Sequence, residues 1–427
     1  MRRKQTYAYS PMALLPNRRI LCAAAAAITR SPAAATSGGG GGARQLHSRA
    51  VGLSTSFVGT PSYRPRGEDG HAAPSSWRKR RATAPDPLVP STARHLSSSS
   101  EDVGRPVLLN RTGERDGLIR HEVVADDGHP LRLYSRPPRP GSGAGTAGPL
   151  DGRGRPVLLL HGRTWSSQPV FDLRSSPDDG EGTSTLQSLS DLGYAAYALD
   201  LRGFGETPRD GGGYTTPVRC AEDVRCAIDW IADRHAERGR RPALLGWSQG
   251  ALVAQLYAQR HGSAGVSDLV LFGSIYDPKV VYPRDRPLYG PDAAPSPAPE
   301  VANTVESSLE DFTIPGTIDE KAAMEFSNIA MAADPIKAAW GDLHEFNECR
   351  PARVEVPTLV VAGAQDPYVS WDAQRDLFEG LGTEDRAMAI IPGCDHPAHI
   401  LEARGAFVRS VVGFLSRHDG LQVYQSK

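Results

Sequence analysis

Short, unbroken apolar runs recur along the chain at Pro156–Leu160 and at residues 194–199, 243–245, 269–272, 359–362 and 388–391. Runs of this length without polar alternation are what strands need when both faces of a parallel sheet are covered. Between several of them the period changes to that of a helix. In residues 215–232, Val218, Ala221, Val224, Ile228 and Ile231 fall on one stripe, and residues 251–259 and 407–415 behave similarly. Upstream, residues 118–125 and 131–135 flank Asp126-Asp127-Gly128, a turn signal that predicts a hairpin. Strand and helix in alternation predict an α/β fold, a doubly wound and mostly parallel sheet.

One interval breaks that rhythm. Residues 276–353 contain no strand-like run; proline is dense from Pro278 to Pro315, and helical patterns resume at residues 320–332 and 335–346. An insertion of this kind predicts a helical lid or cap. The expected organisation is a core over residues 105–275, a lid over 276–353 and the rest of the core over 354–427.

The charge distribution sets the first hundred residues apart. Residues 1–104 hold 15 of the 48 Lys+Arg and 5 of the 49 Asp+Glu, a balance of +10 against −11 for the remainder. No acidic residue precedes Glu68, while Ser, Ala and Gly fill the spaces between arginines. A basic, Ser-rich, acid-poor start has the composition of an organelle transit peptide. Arg94-His95-Leu96-Ser97 is similar to the pattern near mitochondrial presequence cleavage sites, so mitochondrial import is the expectation. Arg18-Arg19 before the apolar residues 20–28 leaves open a signal peptide, as in the first half of a bipartite plastid address, and the third reading is a low-complexity disordered extension with no address, on a cytoplasmic protein. The acidic body argues against nucleic acid as partner. No stretch reaches the 18 or so apolar residues of a transmembrane helix. Five scattered cysteines do not form a disulfide framework and fit a reducing compartment.

The chemistry centres on Gly246-Trp247-Ser248-Gln249-Gly250, a G-x-S-x-G spacing. The five-residue pattern alone is weak. Its context strengthens it, because an apolar run enters the motif and a helical pattern leaves it, the strand–turn–helix setting of a nucleophile elbow. Residues 118–415 resemble the α/β-hydrolase superfamily, in particular its lidded serine esterases of the monoglyceride-lipase and serine-aminopeptidase-like branch. The matching landmarks come in order: His161-Gly162, Asp200-Leu201-Arg202-Gly203-Phe204-Gly205, the elbow, and Gly393-Cys394-Asp395-His396.

An unassisted serine hydroxyl is almost wholly protonated at neutral pH, so Ser248 needs a base. His396, in a Gly-containing loop before the last helix, is where the family keeps it; His399, three residues on, is the rival. Asp366 in Gly363-Ala364-Gln365-Asp366-Pro367 is the expected acid, with Asp277 as alternative and an Asx turn as the structural use of the same residue. Asp395 is adjacent to His396, which makes a bond to its ring awkward. The oxyanion would take backbone N–H groups from Gln249 and, by resemblance, from Arg163. The Arg202-Gly203-Phe204-Gly205 turn is expected to be structural.

These residues predict a serine hydrolase that cleaves a carboxylic ester, or a related thioester or amide, through an acyl-enzyme. Its substrate would be a small, apolar, ester-like molecule. No cofactor and no metal site is expected, since no His/Cys/Asp cluster has ligand spacing and no phosphate-binding loop occurs. The alternative is a non-enzymatic small-molecule receptor or scaffold on the same fold. Tyr276, Tyr282, Phe312, Phe326, Trp340 and Phe346 lie in the lid interval, where they would pack a core or line a pocket.

Overall fold

The computed structural model describes residues 117–139, 152, 154–173, 184–239, 241–284 and 297–418. The expected targeting extension, residues 1–104, lies outside the described residues, as does the middle of the proline-dense stretch, 285–296. The strands are β1 (Ile119–Val124), β2 (Pro130–Arg136), β3 (Pro156–Leu160), β4 (Ala195–Asp200), β5 (Tyr214–Thr215), β6 (Ala243–Trp247), β7 (Leu269–Phe272), β8 (Ala339–Trp340), β9 (Thr358–Gly363) and β10 (Arg386–Ile391). The helices are α1 (Ser167–Phe171), α2 (Thr185–Asp191), α3 (Pro217–Arg234), α4 (Gln249–Gly265), α5 (Val305–Leu309), α6 (Glu320–Ala333), α7 (Trp371–Gly380) and α8 (Arg404–Leu415).

Eight strands form one sheet in the order β1-β2-β4-β3-β6-β7-β9-β10. β1 pairs antiparallel with β2 and β2 with β4, and every later pairing is parallel. Chain order reverses around β3, which lies between β4 and β6. That reversal opens a crevice at the carboxyl edge, where ligands bind in sheets of this type. The apolar runs are continuous because both faces are covered. Leu158 and Leu160 of β3 pack with Ala221, Val224 and Ile228 of α3 and with α4, whereas Val157 and Leu159 point into the opposite cluster with Leu186, Val411 and Phe414. Each fully buried Leu or Val of this kind contributes roughly 1.5–3 kcal/mol.

The insertion between β7 and β9 departs from expectation in one place. The helix expected over residues 320–332 is α6, capped by Asp319. Residues 335–346, read as helical, are not: a bridge pairs Ile336 with Ala302, β8 pairs in parallel with β5, and a 3-10 turn covers Leu343–Glu348. The spacing of Ala338, Trp340, Leu343 and Phe346 imitates a helical stripe because all four pack against the same core. Pro335 and Gly341, with the edge of β5 offered for pairing, favour the extended form. Among the described residues no helix is long and apolar enough to cross a membrane.

Candidate active site

Strand β6 runs into Ser248, and α4 starts at the next residue. Ser248 has φ 58° and ψ −123°, and among the described residues only Asp342 shares a positive φ without being glycine. A side chain in that region carries strain, of order 1–3 kcal/mol, that its surroundings must hold. The Ser248 N–H donates to the Phe272 carbonyl at 2.9 Å, and its own carbonyl accepts from Ala251 at 3.1 Å. A methyl group at Gly246 would lie 2.4 Å from the Gly250 carbonyl oxygen, and one at Gly250 would lie 2.2 Å from that of His161. The two glycines therefore let the turn close against β3. The hydroxyl of Ser248 does not cap α4, which leaves it available for chemistry.

The His396 ring meets Asp366 across the carboxyl ends of β7 and β9. His396 Nδ1 lies 2.7 Å from Asp366 Oδ2, and both side chains are buried. The second carboxylate oxygen of Asp366 accepts the Tyr368 N–H at 2.9 Å. Gly273 (φ 53°) sits against this pair, since a methyl there would come 3.0 Å from His396 Nδ1 and 3.4 Å from Asp366 Oδ2. The neighbour of Gly273 is Phe272, whose carbonyl holds Ser248. On the other side the Trp247 indole donates to the His396 carbonyl at 3.2 Å, with the two rings 5.1 Å apart. Ser248 and His396 are thus tied to shared neighbours on both sides. Burial disfavours charge on His396, but the Asp366 hydrogen bond and the charges of Asp366, Asp311 and Asp395 outweigh it, and the net effect raises its pKa.

The rivals lie elsewhere. His399 is fully buried among Phe171, Trp247, Phe272 and Phe407, and its pKa is driven well below normal by burial. Asp277 accepts the Lys279 N–H at 2.8 Å in a turn. Asp395 faces the insertion, where its Oδ2 accepts from Thr313 N, Thr313 Oγ1 and Ile314 N at 2.6, 2.7 and 3.1 Å.

Gly162 and Arg163 follow β3, and a methyl at Gly162 would sit 3.1 Å from the Ser248 Cβ. His161 fixes this loop. Its Nε2 accepts the Leu201 N–H at 3.1 Å, so Nδ1 carries the proton and donates to the Gly162 carbonyl at 3.0 Å. Burial lowers the His161 pKa to about 4, which keeps the ring neutral. The Arg163 carbonyl accepts from the Trp340 indole at 3.0 Å. As the first residue of α4, Gln249 has no intrahelical partner for its N–H.

Sequence reasoning missed three contributors. Trp340 holds Arg163. Asp334, just after α6, accepts Ser166 N and Gly205 N at 2.8 Å each and so joins the insertion to both loops beside the site. Tyr368 lies edge-on to His396 at 4.9 Å between ring centroids, with partly buried Asp311 beside its hydroxyl. Only Asp334, an Asp before Pro at a helix end, carried a local signal. The arginine of the Arg202 turn is structural in its contacts, paired with Asp223 through both Nε and Nη2 at 2.7 and 2.8 Å.

A model of the Alpha/beta hydrolase family matches residues 157–410. A Bacillus subtilis AB hydrolase superfamily protein, YisY, is 25% identical over 252 residues, which are 54% of this chain and 81% of the relative. A pimeloyl-acyl-carrier-protein methyl ester esterase of Chromobacterium violaceum is 26% identical over 284 residues, 62% of this chain and 95% of the esterase. Among solved structures, a serine hydrolase involved in carbazole degradation aligns with 70% of this chain and 100% of its own, at 21% identity and a TM-score of 0.48.

Proposed function

The chain is a hydrolase of the Alpha/beta hydrolase family, and on that footing we propose that it cleaves a small carboxylic ester, or a related thioester or amide, through an acyl-enzyme on Ser248. The observation that carries this reading is the 2.7 Å pair of His396 and Asp366 beside a serine held at φ 58° on the elbow before α4. In the proposed cycle Ser248 Oγ attacks the carbonyl carbon while His396 Nε2 takes its proton. Asp366 keeps the proton on Nδ1 and stabilises the imidazolium. The N–H groups of Gln249 and Arg163 receive the developing oxyanion, reinforced by the positive end of α4. His396 then protonates the leaving group, and water releases the acyl group along the same path. The insertion acts as the lid over this site, and the expected mitochondrial address of residues 1–104 belongs to the same proposal.

Turnover of a short-chain p-nitrophenyl ester tests it. Ser248→Ala and His396→Ala should each lower kcat by about 10³-fold or more while the protein stays folded. A folded wild type without turnover on a panel of esters, thioesters and amides would favour a receptor role.

A further inference from the structure

Some arginines of this fold are neutralised by carboxylates, Arg136 by Asp172, Arg202 by Asp223 and Asp127, Arg417 by Asp268 and Asp385, and others, Arg350 and Arg386 among them, donate to backbone carbonyls. Arg163 does neither. It stands next to the proposed oxyanion hole, its side chain is exposed, and among the described residues no carboxylate lies within ion-pair distance of it. Its guanidinium reaches only the side-chain oxygen of Gln249, at 3.3 Å, long for a bond to a cation. Gln249 is 1% exposed, and its Nε2, a buried donor, has no acceptor. A buried donor left unfilled is destabilising unless a ligand fills it. The two residues whose backbone N–H groups would flank the reacting carbonyl thus also present a cation with no counter-charge and an amide N–H donor with no acceptor.

We infer that Arg163 and Gln249 form an anion subsite, and that the preferred substrates are esters whose acyl portion ends in a carboxylate a few carbons from the scissile carbonyl. This rests on the hydrolase reading of Ser248. The Trp340 bond to the Arg163 carbonyl fixes that residue's backbone, so the guanidinium alone moves. Drawn onto the substrate carboxylate, it leaves the Gln249 carboxamide, and Nε2 turns to donate to the same anion. The guanidinium then binds both carboxylate oxygens in the bidentate geometry that lysine cannot reproduce.

The test compares p-nitrophenyl hemiglutarate and hemisuccinate with the neutral p-nitrophenyl valerate and butyrate. Wild-type kcat/KM should favour the anionic esters by about tenfold or more, and Arg163→Gln should lower that ratio by a similar factor. Arg163→Lys should retain part of the preference. As a readout without turnover, monomethyl glutarate should bind Ser248→Ala protein in calorimetry, and adding Arg163→Gln should weaken binding about tenfold. Turnover of the neutral esters with no anionic preference, or a preference that Arg163→Gln leaves untouched, overturns the subsite while the hydrolase reading stands. Turnover of neither ester class, with no fluorophosphonate labelling, overturns the reading beneath it and the subsite together.

Discussion

The indole N–H of Trp340 donates to the carbonyl oxygen of Arg163 across 3.0 Å, which ties the insertion to the loop proposed to hold the oxyanion. That bond fixes the peptide plane after Arg163, while the plane that carries the Arg163 N–H is held at the Gly162 carbonyl by His161 Nδ1 at 3.0 Å, and oxyanion donors act through such preorganisation. Trp340→Phe keeps the ring and removes the bond. We expect kcat to fall about tenfold with KM little changed and Tm lowered slightly, measured by steady-state kinetics and thermal unfolding.

Two glycines, one in the elbow and one on α8, give stability predictions of opposite sign. In Gly250→Ala the new methyl would overlap the His161 carbonyl oxygen at 2.2 Å, and neither backbone can swing aside. The expected loss is at least about 3 kcal/mol, visible as poor soluble yield or a collapsed Tm. Gly413, exposed on α8, has nothing within 4 Å of its Cβ position. Gly413→Ala should stabilise the protein by about 0.5–1 kcal/mol.

Asp334 offers both carboxylate oxygens to N–H groups of different loops, Ser166 before α1 and Gly205 after β4. Asp334→Ala leaves one buried and one half-buried donor unpaired, and a loss of about 2–4 kcal/mol follows. Asp334→Asn keeps one acceptor and should cost roughly half as much. Denaturant unfolding of the three proteins measures the ladder, and a flat series would show that the carboxylate does not join these segments.

Much of this arrangement was legible in the chain, and the reasons for what was not are physical. Strands buried on two faces announce themselves as unbroken apolar runs, so β3, β4, β6, β7 and β9 stand out. The elbow shows because its glycines answer a local steric demand. Contacts made across long stretches of chain leave no such trace. Trp340 and Arg163 are 177 residues apart, Asp334 and Ser166 are 168 apart, and nothing near either residue specifies its partner. The misread interval 335–346 fails for the same reason. Its apolar spacing reflects one shared core, while the choice of strand over helix comes from the distant edge of β5.

His396 carries a testable pH signature. Asp366, Asp311 and Asp395 raise its pKa against the opposing effect of burial. The proposed cycle needs the neutral ring, so activity should fall as pH drops through this raised value, giving the acid limb of kcat/KM. Among the described residues Asp311 is hydrogen-bonded to neither Ser248 nor the His396 ring, yet its negative charge acts on that ring. Asp311→Asn removes that charge, and the acid limb should move to lower pH. An unmoved limb would show that Asp311 does not act on the base.

The most direct measurement is the mass of the protein after reaction with a fluorophosphonate, followed by peptide mapping. Wild-type protein should gain one phosphonyl group, located on Ser248, and both Ser248→Ala and unfolded wild type should gain none. A folded wild type that stays unmodified, or that carries the group on another residue, contradicts the account.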